Sequence, residues 1–281
     1  MLRIPAAGNL PHITWCLTGC LAFFPIHAAG LYREKNQPKI FNYTVSSYTP
    51  NLTALVNAKR LPAQHCGTPR LLVVYGSESP AQGSLACGID AIRALQNKTG
   101  RLHVTALNGE EATAEAVLRG MKHCNWIHLA CHGIQGLEGK ANEAFLIGGE
   151  LTLHEIMQQS FSHSELAFLS ACQTAKGDSW LPEDAMHLAA GILTAGYRSV
   201  VGTMWSIRDA DAPIIAERFY TYLLAEAGGD STKAAYALHH AVGHLRDSRE
   251  GCGFDRWVPF FHLGTCAPTE SSGNILPSGP I

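Results

Sequence analysis

Residues 126–133 read WIHLACHG, and residues 166–174 read LAFLSACQT. Each begins as a short apolar run and ends in small or polar residues, which is typical of a strand buried on both faces of a parallel sheet. His132 follows the first run, and Cys172 follows the second. Because the carboxyl ends of neighbouring parallel strands meet at one edge of a sheet, the two stretches predict both a fold and a place for chemistry.

Elements of the same kind surround these two stretches. Apolar runs at 70–75, 102–107 and 199–205 predict further strands, and WVPFFHL at 257–263 predicts a closing strand. Apolar residues at helical spacing lie between them, at 89–95, 113–121, 182–196, 211–223 and 231–245. AFLIGGELTL at 144–153 predicts a hairpin that turns at Gly148 and Gly149, whereas residues 1–65 are expected to be irregular. The alternation predicts an α/β fold, with a mainly parallel sheet flanked by helices on both faces.

Length and composition limit the classes of protein. The chain has 281 residues, of which 46% are hydrophobic, enough for one large α/β domain. We expect this domain to cover residues 1–265 and the Ser-, Pro- and Gly-rich residues 266–281 to be disordered. The net charge of −2 offers no basic excess to a phosphate backbone, which argues against a nucleic-acid partner. Only 16% of the residues are charged, so we expect another domain or subunit to cover part of the surface.

The cysteines and the N-terminal segment bear on the compartment. The nine cysteines are odd in number and scattered, which favours free thiols in a reducing cytoplasm over a disulfide framework. Residues 15–30, WCLTGCLAFFPIHAAG, resemble the apolar part of a signal peptide. However, Pro25 interrupts this stretch, only Arg3 precedes it as a positive charge, and it is too short to span a membrane. We therefore expect a buried strand and loop, with a secreted hydrolase as the alternative.

A thiol and an imidazole that meet in a cleft are the minimum for nucleophilic cysteine catalysis. Cys172 would be the nucleophile and His132 its general base. Gly133 lets a backbone N–H approach a substrate carbonyl, and the N–H of Cys172 would complete an oxyanion hole. On position alone the less specific interpretation is the more common one, since a free Cys is usually a small buried hydrophobe.

Metal and nucleotide sites are not predicted. His128 and His132 are four residues apart, but on a strand that spacing separates them by about 13 Å, so His128 is expected to be a core or supporting residue. No second pair of ligands accompanies Cys16 and Cys20. Around Gly139-Lys140 the residues needed for a phosphate-binding loop are missing. We expect no cofactor.

The longer motifs resemble a known family. HLACHG at 128–133 and LSACQTAKGD at 169–178 resemble the histidine and cysteine motifs of clan CD peptidases, the caspase, gingipain and separase group. LPEDAMHLAAGILTAGYRSVVGTMWSIRDADAP at 181–213 and WVPFFHLG at 257–264 narrow the resemblance to CHAT domains, in wording most similar to versions from filamentous fungi. The resemblance covers roughly residues 10–265.

The resemblance implies a caspase-like cysteine endopeptidase that acts on a protein or peptide through a Cys172/His132 dyad. It also implies a longer natural chain, which supplies the domain's first residues and carries tetratricopeptide (TPR) repeats or another regulatory domain. No membrane partner is expected. The alternative is a non-catalytic CHAT module that keeps the fold and binds other proteins.

A specificity pocket is predicted after the fifth strand. WSIRDADAP at 205–213 resembles the loop that in separases supplies an acid to a P1 arginine, and Asp209 and Asp211 are the matching acids. Asp211 is also placed to cap the following helix, so Asp209 is the favoured pocket acid. Arg208 could neutralise either carboxylate or invert the pocket.

Overall fold

The computed structural model describes residues 10–34, 37–60, 67–75, 82–130, 134–135, 144–147, 151–161, 163–170, 182–205, 207–208, 210–247 and 253–266. For residues 23, 60, 82–89, 134–135, 144–147 and 182–185 only the backbone is described. The strands are, in chain order, β1 (His12–Trp15), β2 (Val45–Tyr48), β3 (Arg70–Tyr75), β4 (His103–Asn108), β5 (Trp126–Ala130), β6 (Ile134–Gln135), β7 (Ala144–Ile147), β8 (Leu151–Thr152), β9 (Leu166–Leu169), β10 (Ser199–Thr203) and β11 (Phe260–Gly264).

Two sheets form from these strands in the described part of the chain. The large sheet has eight strands in the order β1-β2-β11-β10-β9-β5-β3-β4, and β6, β7 and β8 form a small antiparallel sheet. In the large sheet β10, β9, β5, β3 and β4 are mutually parallel, and so are β11, β2 and β1. The two blocks meet at an antiparallel pairing of β10 with β11. The sheet therefore consists of a five-strand half and a three-strand half that run in opposite directions.

Helices cover both faces of the large sheet. They are α1 (Leu52–Arg60), α2 (Gln82–Thr99), α3 (Ala114–His123), α4 (Leu153–Met157), α5 (Pro182–Thr194), α6 (Asp211–Thr221), α7 (Ala234–Arg246) and α8 (Phe254–Trp257). Short 3-10 helices occur at Gly19–Phe23, Ile26–Ala28, Ile40–Asn42, Gly109–Glu111 and Ser231–Lys233, and α6 continues into a π-helical turn, Tyr222–Glu226. Buried side chains of α2, α6 and α7 pack on one face, and those of α1, α3, α4 and α5 on the other.

The alternation along β3 explains why a continuous apolar run predicts a central strand. Leu71 and Val73 contribute to the core under α2, α6 and α7, whereas Leu72 and Val74 contribute to the core on the opposite face. All four side chains are fully buried. Successive strand residues point to opposite faces, so a strand covered on both sides needs apolar residues at every position.

Most predicted elements are confirmed, including the α/β class and the mainly parallel sheet with helices on both faces. The predicted strands in the five-strand half become β3, β4, β5, β9 and β10. Thr113 caps α3, since the Ala116 N–H donates to Thr113 Oγ1 at 3.2 Å. β7 and β8 pair as the predicted hairpin, although its turn at residues 148–149 lies outside the described residues, as does the predicted disordered tail beyond residue 266.

Two predictions about the three-strand half need correction. The described residues between 10 and 60 are not wholly irregular, because they contain β1, β2 and α1. HITW and VSSY are short and partly polar, and β2 pairs with a strand more than 200 residues away, so no local pattern marks them. The closing strand begins at Phe260 rather than Trp257, which lies in α8. Pro259 has no N–H for a sheet ladder, which limits the strand at this point.

The segment that resembles a signal peptide, residues 15–30, does not form the predicted buried strand. Only Trp15 belongs to a strand, β1, which pairs with β2. The following residues form loops and two short 3-10 helices, in which Leu21 and Phe24 are more than half exposed. His27 then bonds through Nδ1 to the Tyr48 hydroxyl at 2.7 Å and through Nε2 to the carbonyl of Val258 at 2.9 Å. Burial lowers the pKa of His27 to about 4. Across the described residues, no helix combines the length and the apolar character that crossing a membrane requires.

Candidate active site

The strands that lead to the predicted dyad are neighbours in the sheet. β5 ends at Ala130, two residues before His132, and β9 ends at Leu169, three residues before Cys172. They are parallel and directly paired, so they end at the same edge. His132, Gly133, Cys172 and Asp209 themselves lie outside the described residues, and their predicted roles remain predictions.

The register of this strand pair has a simple offset. Trp126 pairs with Leu166 and Leu129 pairs with Leu169, so each residue of β5 faces the residue forty positions later in β9. The Ser170 N–H donates to the carbonyl of Leu129 at 3.0 Å and extends the ladder beyond β9. Cys172 follows His132 by the same forty positions.

His128 is a buried histidine at the centre of this pair, which agrees with the expected core or supporting role. Its Nε2 is hydrogen-bonded to Ser170 Oγ at 2.8 Å, and its Nδ1 has a longer contact of 3.4 Å with the Tyr220 hydroxyl. The ring packs against Phe168, with centroids 4.7 Å apart. Burial lowers the pKa of His128 to about 3, so the imidazole is neutral at pH 7.

The segment after β10 is held by two ion pairs to the dipeptide 255–256. Arg256 binds the carboxylate of Asp211 through Nε and Nη2, with the shortest contact 2.5 Å, and the Asp211 side chain is completely buried. Arg208 pairs with Asp255 at 2.8 Å, and both of these side chains are exposed. Asp211, one of the two acids proposed for the pocket, is therefore already paired with a guanidinium from the same chain.

The capping role predicted for Asp211 is wrong. Ala210 is the N-cap of α6 and Asp211 is the first helical residue, with its carboxylate turned to Arg256. Arg208, which could neutralise either acid or invert the pocket, pairs with Asp255; Asp209 lies outside the described residues. Sequence reasoning did not identify Arg256 or Ser170 as supporting residues. The sequence shows an acid at position 211 and a Ser directly before Ala171-Cys172, but it does not reveal the partner of either residue.

No metal centre emerges from the part of the chain that the structure describes, where no three His, Cys, Asp or Glu side chains gather in a way that could hold an ion. A cavity of about 40 Å³ lies among β2, β11 and α7, lined by residues that include His27, Ser46 and His239. This volume has room for about three water molecules, so it is too small for a peptide substrate.

A parallel sheet covered on both faces, with a His and a Cys following two adjacent strands, is the arrangement of caspase-like cysteine peptidases. Solved structures of that class share the fold. Separase from Saccharomyces cerevisiae, in its complex with securin, has a TM-score of 0.54 at 14% identity over 86% of this chain. The Arg-specific cysteine proteinase gingipain R has a TM-score of 0.54 at 10% identity over 81% of this chain.

The chain belongs to the CHAT domain family, whose profile matches residues 2–265. It spans only 14% of the separase chain and 56% of the gingipain chain. No match to a curated protein was found.

Proposed function

We propose that this CHAT domain is a cysteine endopeptidase in which Cys172 is the nucleophile and His132 the general base. The observation that carries the proposal is the pairing of β5 with β9, because the offset of forty residues in their register equals the separation of His132 and Cys172 in the chain. The side chains of His128 and Ser170 are bonded to each other. Position 132 is four residues after His128, and position 172 is two residues after Ser170. Because every second side chain of a strand lies on the same face, these even spacings favour a meeting of His132 and Cys172.

The chemistry follows from the two groups. His132 takes the proton of the Cys172 thiol, and the thiolate attacks the carbonyl carbon of the scissile bond. The N–H groups of Gly133 and Cys172 stabilise the resulting oxyanion. His132 returns the proton to the leaving amine, which leaves a thioester that water then hydrolyses with His132 as base. These steps need no cofactor.

We propose a basic P1 residue, with Asp209 as the acid that binds it. Asp211 is buried and already paired with Arg256, which favours Asp209, the other acid of this segment, for the pocket, although Asp209 itself lies outside the described residues. Gingipain R, which shares the fold, is Arg-specific. A carboxylate that pairs bidentately with a guanidinium would prefer Arg to Lys.

We also propose that the domain works in the cytoplasm on a protein or peptide substrate, within a longer chain that carries TPR repeats or another regulatory domain. Cys16, Cys20 and Cys124 have free thiols, which suits a reducing compartment.

Turnover of fluorogenic peptides tests the dyad. Cys172→Ala is expected to lower kcat/KM by about 10³-fold or more, and His132→Ala by about 10²- to 10⁴-fold, because an unassisted thiol is mostly protonated at neutral pH. Cys20→Ala is the matched control, since Cys20 is an exposed free thiol and its loss should leave kcat/KM unchanged. Activity that survives in Cys172→Ala would end the peptidase assignment and favour the non-catalytic module.

A P1-scanning peptide library tests the pocket. Wild-type protein should cleave after Arg and, less efficiently, after Lys, and Asp209→Asn should lower kcat/KM for these substrates while the circular-dichroism spectrum stays the same. Arg208→Gln is the control for the general charge of the segment. Cleavage after Asp, or an Arg preference that survives in Asp209→Asn, would remove Asp209 from the site.

A further inference from the structure

We propose that His128, Ser170 and Tyr220 form a buried bridge that positions Cys172 against His132. None of the three is a catalytic residue, and the inference rests on the proposed function of the dyad. The bridge joins the two strands that lead to the dyad, and Ser170, which directly follows β9, lies two residues before Cys172.

The direction of the bridge supports this role. In the strand register the partner of His128 is Phe168, but its side chain is bonded to Ser170, two residues closer to the carboxyl edge. The imidazole therefore leans along the sheet toward the end where the dyad follows. Ser170 is held twice, by its side chain to His128 and by its backbone N–H to Leu129. A residue fixed at both groups limits how far the following chain can shift.

The bridge is also rigid on its other side. The His128 ring is packed against Phe168 and Tyr220, with centroids 4.7 and 5.8 Å away, and only 5% of the residue is exposed. Tyr220 belongs to α6, which follows the predicted pocket segment, and is itself fully buried. A neutral imidazole with a partner at each nitrogen cannot rotate without breaking a contact. The ring thus connects β5, β9 and α6.

Position matters for such chemistry because a displacement of about 1 Å at a reacting group can lower the rate by about 10²-fold. Reactive side chains keep a productive geometry when surrounding hydrogen bonds and packing restrict them. In this chain the described residue that combines those two restraints next to the nucleophile is Ser170.

The junction between the two halves of the sheet provides a matched control. Ser199 Oγ is bonded to His262 Nε2 at 2.7 Å, as Ser170 Oγ is bonded to His128 Nε2 at 2.8 Å. Both serines are 2% exposed. Ser199 begins β10 at the amino end of the strand, whereas Ser170 follows the carboxyl end of β9. The two serines share their chemistry and burial, and they differ in their distance along the strands from the dyad.

The experiment compares Ser170→Ala with Ser199→Ala. Both should lower the midpoint of thermal unfolding by similar amounts. Only Ser170→Ala should lower kcat, by about tenfold, with KM changed by less than twofold. Equal losses of kcat in the two variants, or an unchanged kcat in Ser170→Ala, would overturn the inference.

Two substitutions of His128 refine the test if Ser170→Ala folds poorly. The amide nitrogen of His128→Gln can occupy the place of Nε2 and keep the bond to Ser170, whereas that of His128→Asn reaches only the place of Nδ1. His128→Gln should therefore retain more kcat than His128→Asn, although both remove the ring. The reverse order, or equal values, contradicts a bridge through Nε2.

Alkylation separates this inference from the proposed function. The rate at which iodoacetamide modifies Cys172, followed by mass spectrometry of its peptide between pH 6 and 9, needs no substrate. Ser170→Ala should change this rate relative to Ser199→Ala. If the wild-type protein hydrolyses no peptide, the proposed function fails, and the alkylation rates still decide the bridge: a changed rate supports it, and equal rates in the two variants overturn it.

Discussion

The five-strand and three-strand halves of the sheet stabilise a buried histidine in similar ways but differ in what the histidine supports. In the five-strand half His128 bonds to Ser170 at the carboxyl edge. In the three-strand half His262 bonds to Ser47 and, across the junction, to Ser199 of β10, and Ser47 also bonds to His12. This series of hydrogen bonds crosses four consecutive strands, β1, β2, β11 and β10.

The two halves differ in where their buried polar residues lie and in what those residues bond to. The central strands β5 and β9 are apolar apart from His128, so one polar bridge there is a local feature beside the proposed dyad. The strands β2 and β11 are more polar, and their serines and His262 stabilise the pairing of strands only because each finds a partner. A buried His–Ser bond therefore supports the dyad in the bridge proposed above, whereas in the other half it supports sheet assembly.

The largest effect is expected where the two halves are joined. Asp211 follows β10 and Arg256 precedes β11, so their ion pair spans the antiparallel junction. Arg256→Met leaves a buried carboxylate without its partner and should lower the free energy of unfolding by about 3–5 kcal/mol. Urea denaturation measures it. Arg208→Met removes an exposed pair and should cost less than about 1 kcal/mol.

A double variant separates lost pairing from lost packing. Asp211→Asn in the Arg256→Met background removes the buried charge and should recover part of the stability. If the double variant is less stable than Arg256→Met alone, the carboxylate is stabilised by other groups and the ion pair does not dominate.

Acid should destabilise both halves, and one buried histidine in each half contributes to this response. Burial lowers the pKa of His128 and of His262 to about 3, whereas the unfolded chain binds a proton at about 6.5. Below pH 6.5 the unfolded state binds more protons, so stability is complete above this pH and falls as the pH decreases toward 3. At pH 5 each of these histidines should lower the free energy of unfolding by about 2 kcal/mol relative to pH 7.

Urea denaturation at pH 7, 6 and 5 tests this, with His128→Gln and His262→Gln as variants. Each should flatten the dependence of stability on pH by a similar amount. A slope that remains unchanged in both variants would show that other groups control the acid response.

Adjacent serines of β2 sharpen the account of the three-strand half. Ser47→Ala breaks bonds to His12 and His262 and should lower the free energy of unfolding by about 1.5 kcal/mol, because buried imidazole nitrogens lose their partner. The Ser46 hydroxyl has no hydrogen-bond partner among the described residues. Ser46→Ala should therefore change stability by less than about 0.5 kcal/mol, and equal losses in the two variants would contradict the proposed network.

The smallest effect is expected from a local feature of the five-strand half. Thr113→Ala removes the cap of α3 and should cost about 1 kcal/mol. Thr113→Ser keeps the hydroxyl and should retain most of this stability in thermal unfolding. A loss in Thr113→Ser as large as in Thr113→Ala would indicate that the methyl group, and not the cap, is responsible.

The α/β class, the central strands and the cap at Thr113 could be predicted from the sequence alone. These features depend on near neighbours: β9 and the buried residues 71–74 of β3 are apolar at every position because both faces are covered, and a cap needs only a hydroxyl three residues before an N–H. The separation of His132 and Cys172 also follows from the sequence, as does the proposal that they form a dyad.

The pairing of the strands at the far edge, and the partners of the buried polar groups near the proposed site, became known only from the folded structure. The pairs His128–Ser170, Asp211–Arg256 and Ser47–His262 are separated by 42, 45 and 215 residues. A local pattern shows that each of these polar residues is unusual for its surroundings, but not which residue neutralises or binds it. That choice is made when strands distant in the chain are brought side by side, because a buried polar group is stable only with a partner at hydrogen-bonding distance.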